Sequence, residues 1–193
     1  MKPLVRAFYR RDAREVAPDL LNKVLIRGGR RARIVEVEAY LGPHDPASHA
    51  YRGPTQRNAT MFGPPGHLYV YFTYGMHWCA NAVCGNEGDG TAVLLRALAP
   101  ITGIPAMRTA RGGIRPDTAL CSGPAKLCQA FGIDRRYDGI DLTVAAKTAP
   151  WIGDDGTAPP EVPGNSARIG ISVAVDHMWR WYVAGDPNLS RRG

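Results

Sequence analysis

The chain lacks any long hydrophobic run and contains little cysteine. No apolar segment approaches the roughly 18 residues that a membrane-spanning helix needs, and the first residues lack the apolar stretch of a signal peptide. None of the four cysteines forms a C-x-x-C pair or lies at a zinc-binding spacing from a histidine. We therefore expect a soluble, intracellular protein that makes no membrane contact and keeps its thiols reduced, at Cys79, Cys84, Cys121 and Cys128.

The sequence also lacks a glycine-rich phosphate loop of the Walker or Rossmann type, and it has only four lysines. Its positive charge comes mainly from arginine, with a formal net charge of +7 and a pI of about 9.5. Phosphates attract a basic surface, and the planar fork of arginine suits them well. The charge is compatible with nucleic acid as a partner, although charge alone does not establish one.

The length of 193 residues is enough for one domain with a proper core and too short for two ordinary ones. The 22 glycines and 16 prolines fall between short apolar strand patterns. This composition predicts a single α+β domain over residues 1–193, with a loop-rich antiparallel sheet and a few helices rather than a doubly wound sheet. The polar residues after Pro187 predict a frayed C-terminal tail.

Local patterns predict two helices and several strands. Asp12 and Glu15 resemble a capping box that opens a helix, and Pro18 is expected to end or kink its first turn. A second helix is expected over Ser122–Phe131, closed by Gly132. The first two expected strands form one hairpin and the next two form another. The expected strands cover residues 24–27, 32–40, 68–73, 78–83, 92–98, 167–174 and 179–183.

The segment from residue 34 to residue 81 concentrates acidic and aromatic side chains. Glu36, Glu38 and Tyr40 alternate with apolar residues, so a strand here has one apolar face and one acidic-aromatic face. A carboxylate beside flat rings suits a pocket that holds a flat, cationic ligand and activates water next to it. An antiparallel sheet with a solvated face explains the alternation equally well, and either glutamate can serve as the base on pattern alone.

Six long blocks along the chain are more specific than this alternation. They are IVEVEAYLGPHDPASH at 34–49, RNATMF at 57–62, GHLYVYFTYGM at 66–76, GDGTAVLLRAL at 88–98, CSGPAKLCQAFGI at 121–133 and ARIGI at 167–171. In this order they resemble the alkyladenine (3-methyladenine) DNA glycosylase family over nearly the whole chain. The stretches around 101–120 and 147–165 match loosely, and no assignment is carried over there.

The resemblance implies a curved sheet with a protruding, DNA-inserting β-hairpin and a monofunctional base-excision repair enzyme. Such an enzyme flips an alkylated or deaminated purine out of double-stranded DNA and hydrolyses its N-glycosidic bond, leaving an abasic site. It implies a monomer without cofactor or metal, in the bacterial cytoplasm with the nucleoid or in a eukaryotic nucleus. The alternatives are a non-catalytic module that binds damaged DNA and a hydrolase of free nucleosides.

The same resemblance assigns the catalytic centre. Its E-A-Y triplet makes Glu38 the general base that activates water, rather than Glu36. Arg96, on an apolar strand where an unpaired charge is very costly, is expected to hold this water together with Glu38. The position matching Ile169 is expected to contribute its backbone carbonyl to the same water, so that its side chain matters little.

The resemblance also assigns the base pocket. Tyr40, His49 and Tyr71 are expected to sandwich the extruded base, because stacked rings favour an electron-poor, cationic purine. Asn81 is expected to disfavour the exocyclic amine of guanine. A plain two-residue turn at Gly75-Met76 would place Tyr71 and Asn81 on opposite faces, so a longer or bulged loop is expected.

The remaining assignments concern contact with DNA. Tyr74 at the hairpin tip is expected to fill the gap left by the flipped nucleotide, assisted by Met61, while Met76 and His77 touch DNA. Lys126 lies in the first turn of a predicted helix and is expected to bind phosphate or to be structural, rather than to act as a lyase nucleophile.

A metal site is not expected in the loop that contains His44 and His49. The two histidines bracket Asp45, but their spacing in a proline-containing loop presents no defined ligand face. The possible lesions include 3-methyladenine, 7-methylguanine, hypoxanthine and ethenoadenine, and the sequence does not rank them.

Overall fold

A computed structural model describes residues 1–191. The helices and strands alternate with long loops in an α+β arrangement, in which antiparallel strands form one curled, half-barrel sheet. The helices are α1 (Arg6–Tyr9), α2 (Ala13–Leu20), α3 (Ile104–Ala110) and α4 (Pro124–Phe131). The strands are β1 (Lys2–Pro3), β2 (Val24–Arg27), β3 (Arg30–Leu41), β4 (Leu68–Thr73), β5 (His77–Cys84), β6 (Thr91–Thr102), β7 (Trp151–Asp154), β8 (Gly164–Ser166) and β9 (Arg180–Tyr182).

Strand β3 is the centre of the sheet. The strand order is β1-β7-β2-β3-β6-β5-β4, and β9 pairs with both β3 and β8. The apolar face of β3, with Val37 and Ala39, lies in the main hydrophobic core with α2 and α4. Both faces are covered along the middle of β3, so Glu36 and Glu38 are enclosed by the fold rather than exposed to solvent.

Helix α2 begins as the sequence predicted but ends later. Asp12 is its N-cap and accepts a hydrogen bond from the Arg14 N–H. Pro18 was expected to end or kink the first turn, but the helix continues to Leu20. A helix-interior proline costs about 3 kcal/mol, whereas a buried Val or Leu contributes about 1.5–3 kcal/mol. Burial of Val16 and Leu20 against the core is therefore sufficient to keep the helix intact.

We expect the Asp12→Ala substitution to lower the free energy of unfolding by about 1 kcal/mol, because it removes the N-cap acceptor. Asp12→Asn is the matched control, since it keeps a capping oxygen and loses only the exposed ion pair to Arg14. Thermal or denaturant unfolding of both variants measures the difference. Equal losses in the two variants would show that the ion pair, and not the cap, stabilises this helix.

The C-terminal region departs from the sequence prediction. Residues 167–174 were expected to form a strand, but β8 lies upstream of them and they form an irregular segment. Gly170 and Ala174 adopt positive φ angles of 78° and 51°, which interrupt a strand. The Ile169 N–H donates to a side chain instead of a neighbouring strand.

The C-terminal residues up to 191, for which the sequence analysis expected a frayed tail, contact the rest of the protein. Ser190 donates from both its N–H and its hydroxyl to the buried Glu36, and Arg180 donates to the Arg191 carbonyl. Polar tail residues are ordered here because a buried carboxylate needs their donors. Residues 192 and 193 lie outside the described part of the chain.

All four cysteines are buried and free, as predicted. Among residues 1–191, no helix is both long and apolar enough to cross a bilayer.

Candidate active site

Strand β3 carries two buried glutamates. Its alternation places Glu36, Glu38 and Tyr40 on the face opposite the apolar core, and neither glutamate is exposed (0 % each). A buried carboxylate is stable only beside a cation or several hydrogen-bond donors. The interpretation of this face as a solvated sheet surface is therefore wrong.

Arg96 lies between the two carboxylates. Register shifts around Glu36 leave Val35 of β3 and Arg96 of β6 without a directly opposed partner. Such bulges re-aim side chains. The Arg96 Nε is 3.0 Å from Glu36 Oε1, and its Nη1 is 3.3 Å from Glu38 Oε1. Arg96 therefore has two acidic partners.

Glu38 accepts hydrogen bonds from two further donors. The Ile169 N–H lies 2.7 Å from its Oε1, and the Tyr40 hydroxyl lies 2.9 Å from its Oε2. Burial raises the pKa of Glu38 above its ordinary value, while Arg96, the Ile169 N–H and the Tyr40 hydroxyl oppose that rise. The contact from Ile169 is made by its N–H group, whereas the sequence analysis expected a role for its carbonyl.

A cavity of about 330 Å³ is lined by Tyr40, Arg96 and Ile169, the three residues that contact Glu38. This volume is at the small end of the roughly 300–1,000 Å³ typical of small-ligand sites. Glu38 itself lies behind the wall, whereas its three partners form part of it. The residues that line the cavity are Tyr40, Ala47, His49, Met61, Tyr69, Tyr71, Thr73, Tyr74, Cys79, Asn81, Leu94, Arg96, Pro124, Ile169, Gly170 and Ile171.

Aromatic rings form one side of this cavity. His49 meets Tyr71 edge-to-face with ring centroids 4.4 Å apart, and Tyr69 stacks on Tyr71 at 5.5 Å. Burial lowers the pKa of His49, with a smaller contribution from Arg57, so the imidazole is neutral at neutral pH. Burial raises the pKa of Tyr69 to about 12. The ring surfaces are therefore uncharged, as stacking on a flat ligand requires.

The hairpin loop explains why Tyr71 and Asn81 share a face. Thr73 pairs with His77, which leaves the three-residue loop 74–76, and the register places Tyr71 opposite Cys79 and Asn81 opposite Tyr69. The expectation of a loop longer than two residues is confirmed. The Asn81 amide donates to the Tyr69 carbonyl at 3.2 Å, which fixes the side chain in the cavity wall.

The Arg168–Asp45 ion pair is buried, and its guanidinium lies against the ring of Tyr40. The Arg168 guanidinium lies 4.6 Å from the Tyr40 ring centroid and 5.0 Å from that of Trp179. It also binds both carboxylate oxygens of Asp45, at 2.5 and 2.8 Å, and both side chains of this pair are buried. These contacts hold the ring of Tyr40 in one orientation against the cavity.

The tip of the hairpin β4–β5 stands free of the protein. Tyr74 is 81 % exposed and has a φ angle of 51°, an uncommon conformation for a bulky residue. Met76 is 67 % exposed, and His77 is exposed as well. Strained residues cluster at functional sites, and large exposed apolar side chains mark interaction surfaces.

Two residues predicted to contact DNA have different surroundings. Met61 is only 3 % exposed and packs with Ala50 and Tyr69 in a small core, so it lies in the cavity wall and not at the tip of the hairpin. The assignment of Met61 as a residue that assists at the gap left by the flipped nucleotide stays a prediction. Lys126 is exposed on the first turn of α4, where its ammonium donates to the Ser122 hydroxyl.

His44 and His49 do not form a metal centre. His49 faces Tyr69 and Tyr71 in the cavity, and Asp45 is engaged by Arg168. Within the described part of the chain, no three His, Cys, Asp or Glu side chains form a group that would hold a metal ion.

The sequence analysis missed several residues of the site. Tyr69 lines the cavity although its pattern suggested only a strand residue. Arg57 donates to the Phe72 carbonyl next to the hairpin, and only its place in the RNATMF block pointed to it. Arg168 and Arg180 were missed because their acidic partners lie more than a hundred residues away in the chain.

Comparison with known proteins agrees with this geometry. The sequence profile described as Methylpurine-DNA glycosylase (MPG) matches residues 7–187. A Burkholderia lata protein named "Putative 3-methyladenine DNA glycosylase" is 58 % identical over 188 residues, covering 97 % of this chain and 90 % of the relative. Relatives of the same name from Streptomyces avermitilis and Chlorobaculum tepidum are 50 % and 46 % identical, covering 97 % and 99 % of this chain and 91 % and 92 % of their own. The chain belongs to the methylpurine-DNA glycosylase family, whose members are DNA-repair hydrolases of N-glycosyl bonds.

Proposed function

We propose that this protein is a monofunctional DNA glycosylase that flips a damaged purine out of double-stranded DNA and hydrolyses its N-glycosidic bond with water activated by Glu38. The observation that carries the proposal is the paired, buried carboxylate of Glu38 directly behind an aromatic cavity. An exposed tyrosine, Tyr74, stands at the mouth of that cavity. A protein that only binds DNA has no need of a carboxylate–guanidinium pair in this position.

The chemistry follows from the charges around the cavity. A water molecule attacks the anomeric carbon of the flipped nucleotide, Glu38 accepts a proton from it, and the C–N bond breaks with its electrons passing to the departing base. The carboxylate also stabilises the positive charge that develops on the sugar. Arg96, the Ile169 N–H and Tyr40 keep the carboxylate charged and oriented, and such contacts often tighten once substrate binds.

The aromatic walls favour alkylated purines. Tyr71 and Tyr40 offer the electron-rich faces of neutral phenols, and a purine methylated on a ring nitrogen carries positive charge. The cation–π attraction adds to stacking and is lost for an undamaged, neutral base. An N-alkylated base also departs without a separate proton donor, because bond cleavage neutralises its charge.

The proposal is tested with duplexes that carry 3-methyladenine, 7-methylguanine, hypoxanthine or ethenoadenine. We expect alkali-labile abasic sites from at least one lesion and none from the undamaged duplex, with activity that survives a strong chelator. If the protein bound the damaged duplexes but produced no alkali-labile site at any lesion, it would instead be a module that only recognises damaged DNA. Release of base from free nucleosides at a comparable rate would indicate a nucleoside hydrolase.

We also expect the affinity for DNA to fall steeply as the salt concentration rises. The net charge of +7 resides mainly in arginines, and each neutralised phosphate releases counterions on binding. Fluorescence anisotropy with a labelled abasic-analogue duplex, from low to physiological salt, measures the slope. A flat dependence would contradict a phosphate-binding surface and favour a nucleoside substrate.

A further inference from the structure

Glu36 accepts four hydrogen bonds, although the proposed chemistry does not use it. Its Oε1 accepts from Arg180 Nε at 2.8 Å, from Arg96 Nε at 3.0 Å and from the Ser190 hydroxyl at 2.7 Å. Its Oε2 accepts from the Ser190 N–H at 2.6 Å. Burial would raise the pKa of Glu36, but the donors from Arg180 and Ser190, together with Arg96, lower it, so the group stays charged.

Two of these four donors belong to the C-terminal segment, residues 188–191, which we call the C-terminal clasp. Arg180 also binds the clasp, because its Nη2 donates to the Arg191 carbonyl at 2.8 Å. Its Nη1 donates to the Ser166 hydroxyl. Asn188 is also buried. The clasp therefore covers Glu36, although Ser190 lies 154 residues after Glu36 in the chain.

The Ser190 hydroxyl connects Glu36 to the catalytic centre. It donates to Glu36 and accepts from Arg96 Nη2 at 3.2 Å. The Arg96 Nε thus donates to Glu36, and its Nη2 donates to Ser190. With these two nitrogens fixed, the Nη1 of Arg96 lies 3.3 Å from Glu38 Oε1. The planar guanidinium has a fixed fork of donors, so two anchored nitrogens determine the direction of the third.

We propose that the C-terminal clasp is a positioning device for catalysis, in which Ser190 and Glu36 orient Arg96 so that it holds Glu38 charged and aimed at the cavity. This inference rests on the proposed function. Ser190 and Glu36 are positioning residues, since neither lines the cavity and both act through Arg96. Because no residue of the clasp lines the cavity, changes there act on the catalytic carboxylate without altering a side chain that would contact the base.

The direction of the expected effect follows from the groups around Glu38. The charged and titratable groups linked to Glu38 by direct contacts or through shared partners are Glu36, Tyr40, Arg96, Arg168, Arg180 and Asp45. Without the Ser190 hydroxyl, Glu36 loses a donor and draws Arg96 more strongly, while Arg96 loses one of its two anchors. The contact between Arg96 and Glu38 weakens, and the pKa of Glu38 rises further above its ordinary value.

Excision requires ionised Glu38, so the acid limb of its pH–rate profile reports this pKa. In Ser190→Ala we expect the acid limb to move up by about half a pH unit or more, since a carboxyl that partly loses a cationic partner shifts on that scale. A chain that ends at Pro187 loses both donors and should shift further. Ser190→Thr keeps the hydroxyl and should restore the wild-type profile.

The experiment is a single-turnover pH profile of base release for wild type, the three variants and Ile152→Val, a buried substitution outside the site. Binding of an abasic-analogue duplex is measured in parallel and should be unchanged. A lower unfolding temperature without a shift of the acid limb, as expected for Ile152→Val, would overturn the proposal and leave the clasp a structural element. Failure of the wild type to release any base would instead refute the proposed function.

Discussion

Base release should be lost in the Glu38→Gln variant, with a fall in rate of about 10²–10⁴-fold, the usual contribution of a general base. Glutamine keeps the shape of the side chain but has neither the charge nor the basicity that water activation needs. The hydrogen bond from the Ile169 N–H can still be accepted, so the wall of the cavity should stay in place. Affinity for an abasic-analogue duplex should therefore remain near that of the wild type.

Glu36→Gln is the informative comparison for this prediction. Glu36 is buried beneath Arg96, Arg180 and Ser190 and does not line the cavity, so its loss should reduce the rate less than the loss of Glu38. Single-turnover excision of one lesion by both variants measures the difference. If Glu38→Gln excised at a rate comparable to wild type while Glu36→Gln did not, the roles of the two carboxylates would be reversed.

Tyr74→Ala should impair base flipping far more than the chemical step. An inserted side chain offsets an unstacking cost of a few kcal/mol by filling the vacated space, so its removal should lower excision from a well-paired site by tenfold or more, since about 1.4 kcal/mol is a factor of ten. Tyr74 is 81 % exposed, so its truncation removes little folded-state packing. The unfolding temperature should change little.

Comparing the same lesion in two DNA contexts distinguishes a role of Tyr74 in base flipping from a role in the cavity. A lesion in a one-base bulge is already loosely stacked, and there the variant should lose least. The same lesion opposite its proper partner should show the largest loss, and Tyr74→Phe, which keeps the ring, should behave like the wild type in both. Equal losses in the two contexts would mean that Tyr74 supports the cavity or the fold.

Alternation and motif order were sufficient for several features of the protein. The period of two along β3 predicted that Glu36, Glu38 and Tyr40 share a face, and this is a local property of an extended backbone. A helix that ends at Phe131 with Gly132 as its C-cap, at a φ angle of 65°, was likewise predicted from local residue preferences, although it begins at Pro124 and not at the predicted Ser122. The N-cap at Asp12 was also predicted from local residue preferences.

Features that depend on distant pairing were not accessible from the sequence. The sequence predicted a hairpin loop of more than two residues. The actual length of three residues, 74–76, and the register of the hairpin are defined only by the pairing of β4 with β5. The burial of Met61 depends on Tyr69 and Ala50 packing around it. The order of the tail depends on Glu36, a residue that approaches Ser190 only after β3, β6 and β9 have assembled.

The sequence by itself determined the composition of the site: a carboxylate-bearing strand, an arginine on an apolar strand, a set of tyrosines, and an exposed aromatic at a glycine-containing turn. These follow from local periodicity and from residue types that have few alternative uses. Only the tertiary structure decided the surroundings of the two glutamates: Glu38 binds the cavity-lining residues Tyr40 and Ile169, whereas Glu36 is sealed under the C-terminal clasp. Both lie on the same face of β3, and the distinction arises from the bulge that aims Arg96 and from donors on Ile169 and Ser190, which are brought there by the whole fold.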